Sequence, residues 1–271
     1  MGLPCPTDGG ITVMAYDAVI LAGGESSSEL KKIAPYDNEA LILIGKYPMI
    51  YYVYQALAAS PMIGKIVISG PVDSLRNIFS REENLYFVNG GNNAVESFAA
   101  AVKVLQEKGI SEQVLILPTD IPFITREAIE DFLTRCAKLG ADFCYPVTSK
   151  AVNEAKFPGV TRTYVRLKEG IFTGGNLFLI RSDVIERGLD LAVKLVERRK
   201  NPIAMARLFG LGLVISYLMR RLTIPAVERR FYQMTGIKGR ALISDYAEIG
   251  VDVDKPSDLL LAQEHLREVS F

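Results

Sequence analysis

A short apolar strand that runs directly into two glycines constrains this chain most strongly. The strand covers residues 17–21, of which residues 18–21 are apolar. Ala22, Gly23 and Gly24 follow before a polar stretch begins. Because glycine has no side chain, the segment predicts a tight turn whose backbone N–H groups point outward. Such donors at the end of a first strand favour phosphate binding, and an ordinary strand-to-helix turn is the alternative interpretation.

The rest of the first half alternates between short apolar runs and helical patterns. Strands are predicted at residues 17–21, 65–69, 85–88, 114–117 and 142–146. Helices are predicted at residues 49–59, 94–106 and 126–139. This alternation predicts an α/β fold with a mostly parallel sheet covered on both faces. Right-handed crossovers would place the loops that follow the strands along one edge.

The second half is predicted to contain more helix. Residues 161–167 have the pattern of a half-exposed strand, and residues 176–180 and 241–244 have that of sheet strands. Three successive helices are predicted at 182–199, 202–220 and 225–235, and a final helix at 256–269. We predict one domain over residues 14–271 with a helical insertion at 182–236. Residues 1–13 are predicted to be a disordered extension without function.

Residues 203–219 form an unusually apolar run. It is marginally short for a bilayer span and contains Arg207, so no transmembrane segment is predicted. A helix buried against the sheet or against a second copy in a homodimer is the favoured interpretation. Basic residues on both sides leave open a peripheral contact with anionic lipid.

Composition excludes several classes of function. Lys plus Arg and Asp plus Glu both total 31, which gives no support for a nucleic-acid surface. The single His265 excludes a histidine-based triad or a multi-histidine metal site. Three scattered cysteines fit a cytoplasmic protein with reduced thiols.

Two acidic segments are candidates for a metal site. Asp120 follows the predicted strand at 114–117 and lies between two prolines that stiffen its turn. Asp252 and Asp254 lie two residues apart in an extended segment, so both carboxylates could approach one ion. A carboxylate beside a phosphate cradle is suited to Mg²⁺. The alternatives are a turn residue or helix cap for Asp120 and the N-cap of the final helix for Asp254.

Five segments together resemble the MobA-like and sugar-phosphate nucleotidyltransferase superfamily. They are LAGG at 21–24, NEALILIGKYPMI at 38–50, LPTDIPFI at 117–124, TGGNLFLI at 173–180 and VDVDKPSDL at 251–259. The resemblance implies a Rossmann-like three-layer sandwich, the nucleotide-diphospho-sugar transferase fold, with a helical insertion.

The resemblance also implies roles for individual residues. It assigns triphosphate binding to Leu21, Ala22, Gly23 and Gly24. It assigns Mg²⁺ to Asp120 and Asp252, with Asp254 as a third ligand or a helix cap. It assigns contact with the nucleobase to Gly91, Asn92 and Ser97. It assigns binding of the acceptor to Thr173, Gly174, Gly175 and Asn176. A glycine turn with an asparagine cap is the plainer interpretation of the segment from Gly91 to Ser97.

The chain departs from the family pattern at two cations. Ser26, Ser27 and Ser28 stand where the family has an arginine, and Glu39 stands where it has a lysine. Two like charges about 4 Å apart repel by roughly 4 kcal/mol at an effective dielectric constant of 20. Glu39 must therefore point away, bind a cation, or belong to a site that works differently. We take Lys32 as the first candidate for the missing catalytic cation, with Lys31, Lys46, Lys156, Arg162 and Arg166 as alternatives.

The expected function is Mg²⁺-dependent nucleotidyl transfer. An acceptor phosphate would attack the α-phosphorus of a nucleoside triphosphate and release pyrophosphate. A glycosyltransferase that uses a nucleotide sugar is a second possibility, although a cradle for a triphosphate argues against it. A nucleotide-binding regulatory protein without turnover is a third, which Glu39 and the missing arginine favour.

Overall fold

The computed structural model describes residues 16–79, 82–198 and 210–271. The strands in these ranges are β1 Tyr16–Leu21, β2 Leu43–Ile44, β3 Tyr47–Pro48, β4 Ile63–Ser69, β5 Leu85–Val88, β6 Gln113–Pro118, β7 Phe143–Ser149, β8 Val165–Leu167, β9 Gly170–Gly174, β10 Phe178–Arg181 and β11 Gly239–Ser244. The helices are α1 Ser28–Lys31, α2 Met49–Ala58, α3 Val72–Arg76, α4 Ala94–Glu107, α5 Arg126–Ala137, α6 Lys150–Lys156, α7 Ile185–Arg198, α8 Leu211–Leu218, α9 Ile224–Thr235 and α10 Pro256–Leu266. Short 3-10 turns occur at Glu39–Leu41, Ser182–Val184 and Ala247–Gly250.

One mixed sheet organises the described part of the chain. Its strands follow the order β5-β4-β1-β6-β10-β7-β9-β8, and β11 pairs with β7. The four strands from β5 to β6 are parallel, as are β7 and β11, whereas β10 is antiparallel to both β6 and β7. A separate hairpin is formed by β2 and β3.

The register of the parallel strands aligns their carboxyl ends. Leu21 is opposite Ser69 on one side and Pro118 on the other, and Ser69 is opposite Val88. The loops that follow these four strands therefore meet at one edge of the sheet, which is where open α/β sheets bind ligands. The glycine loop follows β1, and Asp120 lies two residues after the end of β6.

Helices cover both faces of the sheet. Along β1, Ala18 and Ile20 pack with α2 and α5, while Val19 packs with α4 on the opposite face. A further apolar cluster joins the β2–β3 hairpin to α10. Continuous apolar strands suit this arrangement because both of their faces are buried. The predicted α/β three-layer architecture is confirmed.

Several predicted elements differ from the observed ones. The strand predicted at 161–167 is limited to Val165–Leu167, and β9 was not predicted. The three predicted insertion helices correspond to α7, α8 and α9, where these residues are described. Asp254 is not the cap of the last helix: its N-cap is Lys255, and Asp258 accepts hydrogen bonds from the backbone N–H groups of Lys255 and Asp254.

The apolar run at 203–219 is described only from Gly210 onward. There it forms α8, which leaves Ile215 and Leu218 more than half exposed. No helix within the described residues is long and apolar enough to cross a membrane. The proposed membrane or homodimer contact stays a prediction, and residues 1–13 and 203–209 lie outside the described residues.

Candidate nucleotide and metal site

The glycine loop after β1 is held by its neighbours on both sides. The N–H of Ala22 donates to the carbonyl of Ser69 at 2.7 Å, and the side-chain amide of Asn38 donates to the carbonyl of Ala22 at 2.8 Å. A β-carbon on Gly70 would lie 2.7 Å from the Ala22 carbonyl, so only glycine fits there. The loop that contains Gly23 and Gly24 is therefore a fixed feature of the sheet edge.

The loop between β5 and α4 lies beside the glycine loop. Ser97 is buried, and its Oγ accepts the N–H of Gly91 at 3.0 Å. A β-carbon on Gly23 would be 3.7 Å from the same oxygen. Ser97 thus positions two glycine segments next to each other. Contact of Gly91, Asn92 and Ser97 with a nucleobase stays a prediction.

The start of α4 also contains a capping network. Asn93 caps the helix by accepting N–H groups from Val95 and Glu96, each at 3.0 Å. Asn92 donates its backbone N–H and its side-chain amide to the Glu96 carboxylate. The asparagine cap considered from the sequence is present. It is compatible with a binding role because the loop stays at the exposed edge.

Three carboxylates converge at the same edge. Oxygens of Asp120, Asp252 and Asp254 all lie within 4.8 Å of one another. The N–H of Val253 donates to the carbonyl of Asp120 at 2.8 Å, which joins the two acidic segments. Ser27, just after the glycine loop, donates its hydroxyl to the Asp254 carbonyl at 3.4 Å. The glycine loop and the three aspartates thus form one site.

The donor set fits a divalent cation that prefers oxygen ligands. The Oδ1 atom of Asp120 is buried and has no hydrogen-bond partner within the described structure. Such an atom costs free energy unless a ligand satisfies it. Several carboxylate oxygens within coordination reach of one point match Mg²⁺ chemistry. Asp120, Asp252 and Asp254 are therefore the residues that could hold the ion.

The fold brings the basic side chain of Arg162 to the acidic cluster. It forms an ion pair with Asp252, and the two side chains are only 13% and 18% exposed. Burial lowers the pKa of Arg162, and the negative charges of Asp254 and Asp258 oppose this effect. The sequence names Arg162 only as one of several alternative cations, because residues 161–167 look like a strand with a solvated face.

Lys32, the first candidate for the missing cation, is exposed at the C-cap of α1. Its neighbour Lys31 pairs with Asp37 at 2.9 Å, and Lys156 pairs with the buried Glu248 at 2.8 Å. Two of the alternative candidates for the missing cation, Lys31 and Lys156, are therefore paired with carboxylates outside the acidic cluster. A catalytic role of Lys32 stays a prediction.

Glu39 does not point away from the glycine loop. A β-carbon on Gly24 would coincide with the Glu39 carboxylate, and the Glu39 N–H donates to the Gly24 carbonyl at 3.2 Å. Burial raises the pKa of Glu39 to about 7, with a smaller contribution from Asp254. The residue that replaces the family lysine is thus part of the site.

The carboxyl group of Asp120 has a strongly raised pKa. Burial raises its pKa from an ordinary value of 3.8 to about 8, with further contributions from Glu39 and Asp254. A backbone hydrogen bond and Arg162 act in the opposite direction. Without a metal, the charged form of Asp120 therefore destabilises the folded state.

Metal-free protein is expected to lose stability as the pH rises from about 4 to about 8. Across this window the unfolded chain releases the protons of Asp120 and Glu39 before the folded chain does, so folding becomes less favourable. Thermal denaturation in chelator at several pH values measures the effect. Asp120→Asn should flatten the slope, and an equally steep slope in that variant would contradict the assignment.

The segment predicted to bind the acceptor lies beside the acidic cluster. Thr173 is buried and lines a cavity of about 250 Å³ together with Arg162, Asp252, Asp254 and Lys255. A β-carbon on Gly174 would collide with the Tyr145 ring and hydroxyl.

The next two residues of this segment are tied to the backbone. The N–H of Gly175 donates to the carbonyl of Pro146 at 2.9 Å. The N–H of Asn176 donates to the carbonyl of Ile249, also at 2.9 Å. The Asn176 side-chain amide nitrogen is buried without a partner in the described structure. Acceptor binding by these four residues stays a prediction.

The family assignment follows from comparison with known proteins. The MobA-like NTP transferase domain family matches residues 18–237. This match covers most of the chain and includes the glycine loop described above. The chain belongs to this family and is therefore a nucleotidyltransferase by class.

Individual relatives agree with this assignment. A hypothetical transferase from Thermus thermophilus is 33% identical, with a TM-score of 0.78 over 91% of this chain and 100% of that one. A 2-C-methyl-D-erythritol 4-phosphate cytidylyltransferase from Bacillus thuringiensis is 24% identical over 157 residues, which span 56% of this chain and 66% of the relative. The 4-diphosphocytidyl-2C-methyl-D-erythritol synthase of Anaerococcus prevotii shares the fold at 14% identity, with a TM-score of 0.58 over 95% and 98% of the two chains.

Proposed function

We propose that this protein transfers a nucleoside monophosphate from a nucleoside triphosphate to a phosphorylated small molecule in a Mg²⁺-dependent reaction. The observation that carries the proposal is the convergence of Asp120, Asp252 and Asp254 beside the glycine loop. The names of the cytidylyltransferase relatives support a phosphorylated sugar alcohol as acceptor and CTP as donor. Buried free thiols at Cys136 and Cys144 support a reducing, cytoplasmic setting.

The reaction would divide the site between donor and acceptor. Backbone N–H groups of the glycine loop bind the triphosphate, and an oxygen of the acceptor phosphate attacks the α-phosphorus. The bond from that phosphorus to the bridging oxygen breaks, and pyrophosphate leaves. Bound Mg²⁺ would neutralise the charge that builds up on the phosphate oxygens. The fold contributes mainly alignment and fixed charge.

Arg162 and Thr173 would define the acceptor side. Both line the cavity beside the acidic cluster, and a guanidinium suits the oxygens of a phosphate. The ion pair of Arg162 with Asp252 keeps this cation at the site in the absence of substrate. The acceptor phosphate would then be held on the cavity side of the carboxylates.

Pyrophosphate release tests the proposal. The four common nucleoside triphosphates are each incubated with Mg²⁺ and a panel of phosphorylated sugars and sugar alcohols, including 2-C-methylerythritol 4-phosphate. We expect pyrophosphate and an NMP-linked product in equal amounts, only when metal and acceptor are both present. Release of orthophosphate instead, or nucleotide binding without product across the panel, would contradict transfer.

The second result would favour a nucleotide-binding regulatory protein, for which Glu39 beside Gly24 is the specific observation. A carboxylate at the triphosphate loop opposes binding of the donor unless a cation intervenes. Triphosphate binding at the glycine loop with no turnover would identify that function.

A further inference from the structure

The second half of α8 and the residue after it form an exposed apolar patch. Ile215, Tyr217, Leu218 and Met219 are 55%, 42%, 73% and 54% exposed. Ile215, Leu218 and Met219 are three and four residues apart, so they lie on one face of the helix. Elsewhere in the described chain, large apolar side chains with such exposure are separated in the sequence, as Leu260 is. A contiguous patch of this kind indicates a contact surface.

Basic side chains lie at both ends of α8. Arg220 and Arg221 follow the apolar patch directly, both are exposed, and neither forms a salt bridge within the described residues. At the other end of the helix, a β-carbon on Gly210 would lie 3.3 Å from a guanidinium nitrogen of Arg230. No aspartate or glutamate occurs in residues 210–227. The helix therefore combines exposed apolar side chains with an excess of positive charge.

The residues that follow the apolar patch contact the hairpin of β8 and β9. The N–H of Lys168, in the turn of this hairpin, donates to the carbonyl of Leu222 at 2.8 Å. The N–H of Ile224 donates to the carboxylate of Glu169 at 3.0 Å. This contact brings one carboxylate near the patch, and the same turn adds the exposed Lys168 beside it. The surroundings of the patch thus remain basic.

A second copy of the chain fits this surface poorly. A stable interface takes about 20–30 residues from each partner, whereas α8 has 8 residues. In a two-fold dimer the same patch meets itself, which would bring Arg220 and Arg221 towards their own copies and cost free energy by repulsion. An anionic lipid surface offers the opposite charge above an apolar interior, and both properties match the patch.

We propose that the apolar patch and the arginines beside it dock the protein onto an anionic lipid bilayer. Ile215, Leu218 and Met219 enter the boundary between headgroups and acyl chains, and Arg220 and Arg221 bind lipid phosphates. One short helix with two arginines gives weak, reversible binding. The inference goes beyond the proposed function, because α8 contributes no residue to the acidic cluster or to the cavity beside it.

Sedimentation with lipid vesicles tests the proposal. Full-length protein is mixed at low salt with sucrose-loaded vesicles of phosphatidylcholine alone, or of phosphatidylcholine with about one third phosphatidylserine. We expect binding to the vesicles with phosphatidylserine, and added NaCl should weaken it because salt screens the attraction. Leu218→Ser should lower the partition coefficient at least about ten-fold, since a leucine side chain no longer leaves water.

Two further variants separate the apolar contribution from the electrostatic one. Leu260→Ser changes a leucine on α10 that is 62% exposed, and it should bind vesicles as the unmodified protein does. The double variant Arg220→Gln and Arg221→Gln should lose the preference for vesicles that contain phosphatidylserine. Pyrophosphate release without vesicles should be the same in all of these proteins, because the changed side chains lie outside the site.

The outcomes distinguish docking from its alternatives. Absence of binding to the vesicles with phosphatidylserine, or an equal loss in Leu218→Ser and Leu260→Ser, would overturn the proposal. A dimer in sedimentation velocity that Leu218→Ser dissociates, without vesicle binding, would identify the patch as a subunit interface instead. Vesicle binding without any pyrophosphate release would contradict the proposed function and leave the docking surface intact.

Discussion

Asp120→Asn is expected to lower kcat/KM for nucleotidyl transfer by at least about 10²–10³-fold, the typical cost of losing one preorganised stabilising group. Asparagine keeps the size of the side chain, and the backbone hydrogen bond from Val253 to residue 120 is unaffected, but the variant removes the charge proposed to bind the cation. Asp120 lies two residues after β6, and its Oδ1 atom is buried without a hydrogen-bond partner in the described part of the chain, so the variant removes the carboxylate that is best placed for the cation. Steady-state kinetics with saturating Mg²⁺ measures the loss.

Stability separates this loss from unfolding. In chelator at pH 8, Asp120→Asn should melt at the same temperature as the unmodified protein or higher, because a strained buried carboxylate has been neutralised. Asp245→Asn changes an exposed aspartate in a turn and should leave both activity and melting temperature unchanged. Full activity of Asp120→Asn would contradict its assignment as a metal ligand, and a much lower melting temperature would indicate a structural role.

Arg162→Met is expected to give the second large effect, with opposite behaviour in stability. Removing one partner of a largely buried ion pair leaves Asp252 uncompensated, which costs about 3–5 kcal/mol at fully buried sites. We expect a decrease in melting temperature of roughly 5–10 °C in chelator for a chain of this size. Transfer activity should fall as well, since the cavity beside the cluster loses its guanidinium.

Divalent cations should rescue the stability of this variant. If Asp252 binds the ion as proposed, Arg162 competes with the ion for this carboxylate in the unmodified protein. Mg²⁺ or Mn²⁺ should then raise the melting temperature more in Arg162→Met. Arg166→Met, which removes an exposed arginine from the same segment, is the matched control. If the cation stabilised both proteins equally, Arg162 and the metal would not share Asp252.

The fold could be predicted from the sequence because its signals are local. Continuous apolar strands such as 85–88 and 114–117 alternate with amphipathic helices, and this pattern fixes a parallel sheet with two covered faces. The order of the motifs then places the glycine loop and Asp120 at one edge. The positions of the glycine loop and Asp120 could be predicted from the ends of the strands alone, without knowledge of side-chain packing.

The remaining features depend on contacts between distant segments. Arg162 lies in a loop before β8, and its pairing with Asp252 is set by how the second half folds over the sheet edge. The capping role expected of Asp254 is provided by Asp258, which leaves the Asp254 carboxylate in the acidic cluster. Neither arrangement has a local sequence signal that distinguishes it from a solvated charge or an ordinary cap.

Glu39 shows the limit of the family pattern. Comparison with the family's motif identifies the replacement of a lysine but not the consequence of that replacement. The structure places the carboxylate against Gly24, where it changes the electrostatics of both the loop and the aspartates. The substitution therefore bears on metal binding as well as on triphosphate binding.

The central claim is that the three aspartates hold the metal at which the triphosphate binds. Anomalous diffraction from a crystal grown with Mn²⁺ and a non-hydrolysable CTP analogue tests it directly. The account predicts a Mn²⁺ peak coordinated by Asp120, Asp252 and Asp254, with the triphosphate over the loop that contains Gly23 and Gly24. A nucleotide bound elsewhere, or Mn²⁺ bound away from these carboxylates, would contradict it.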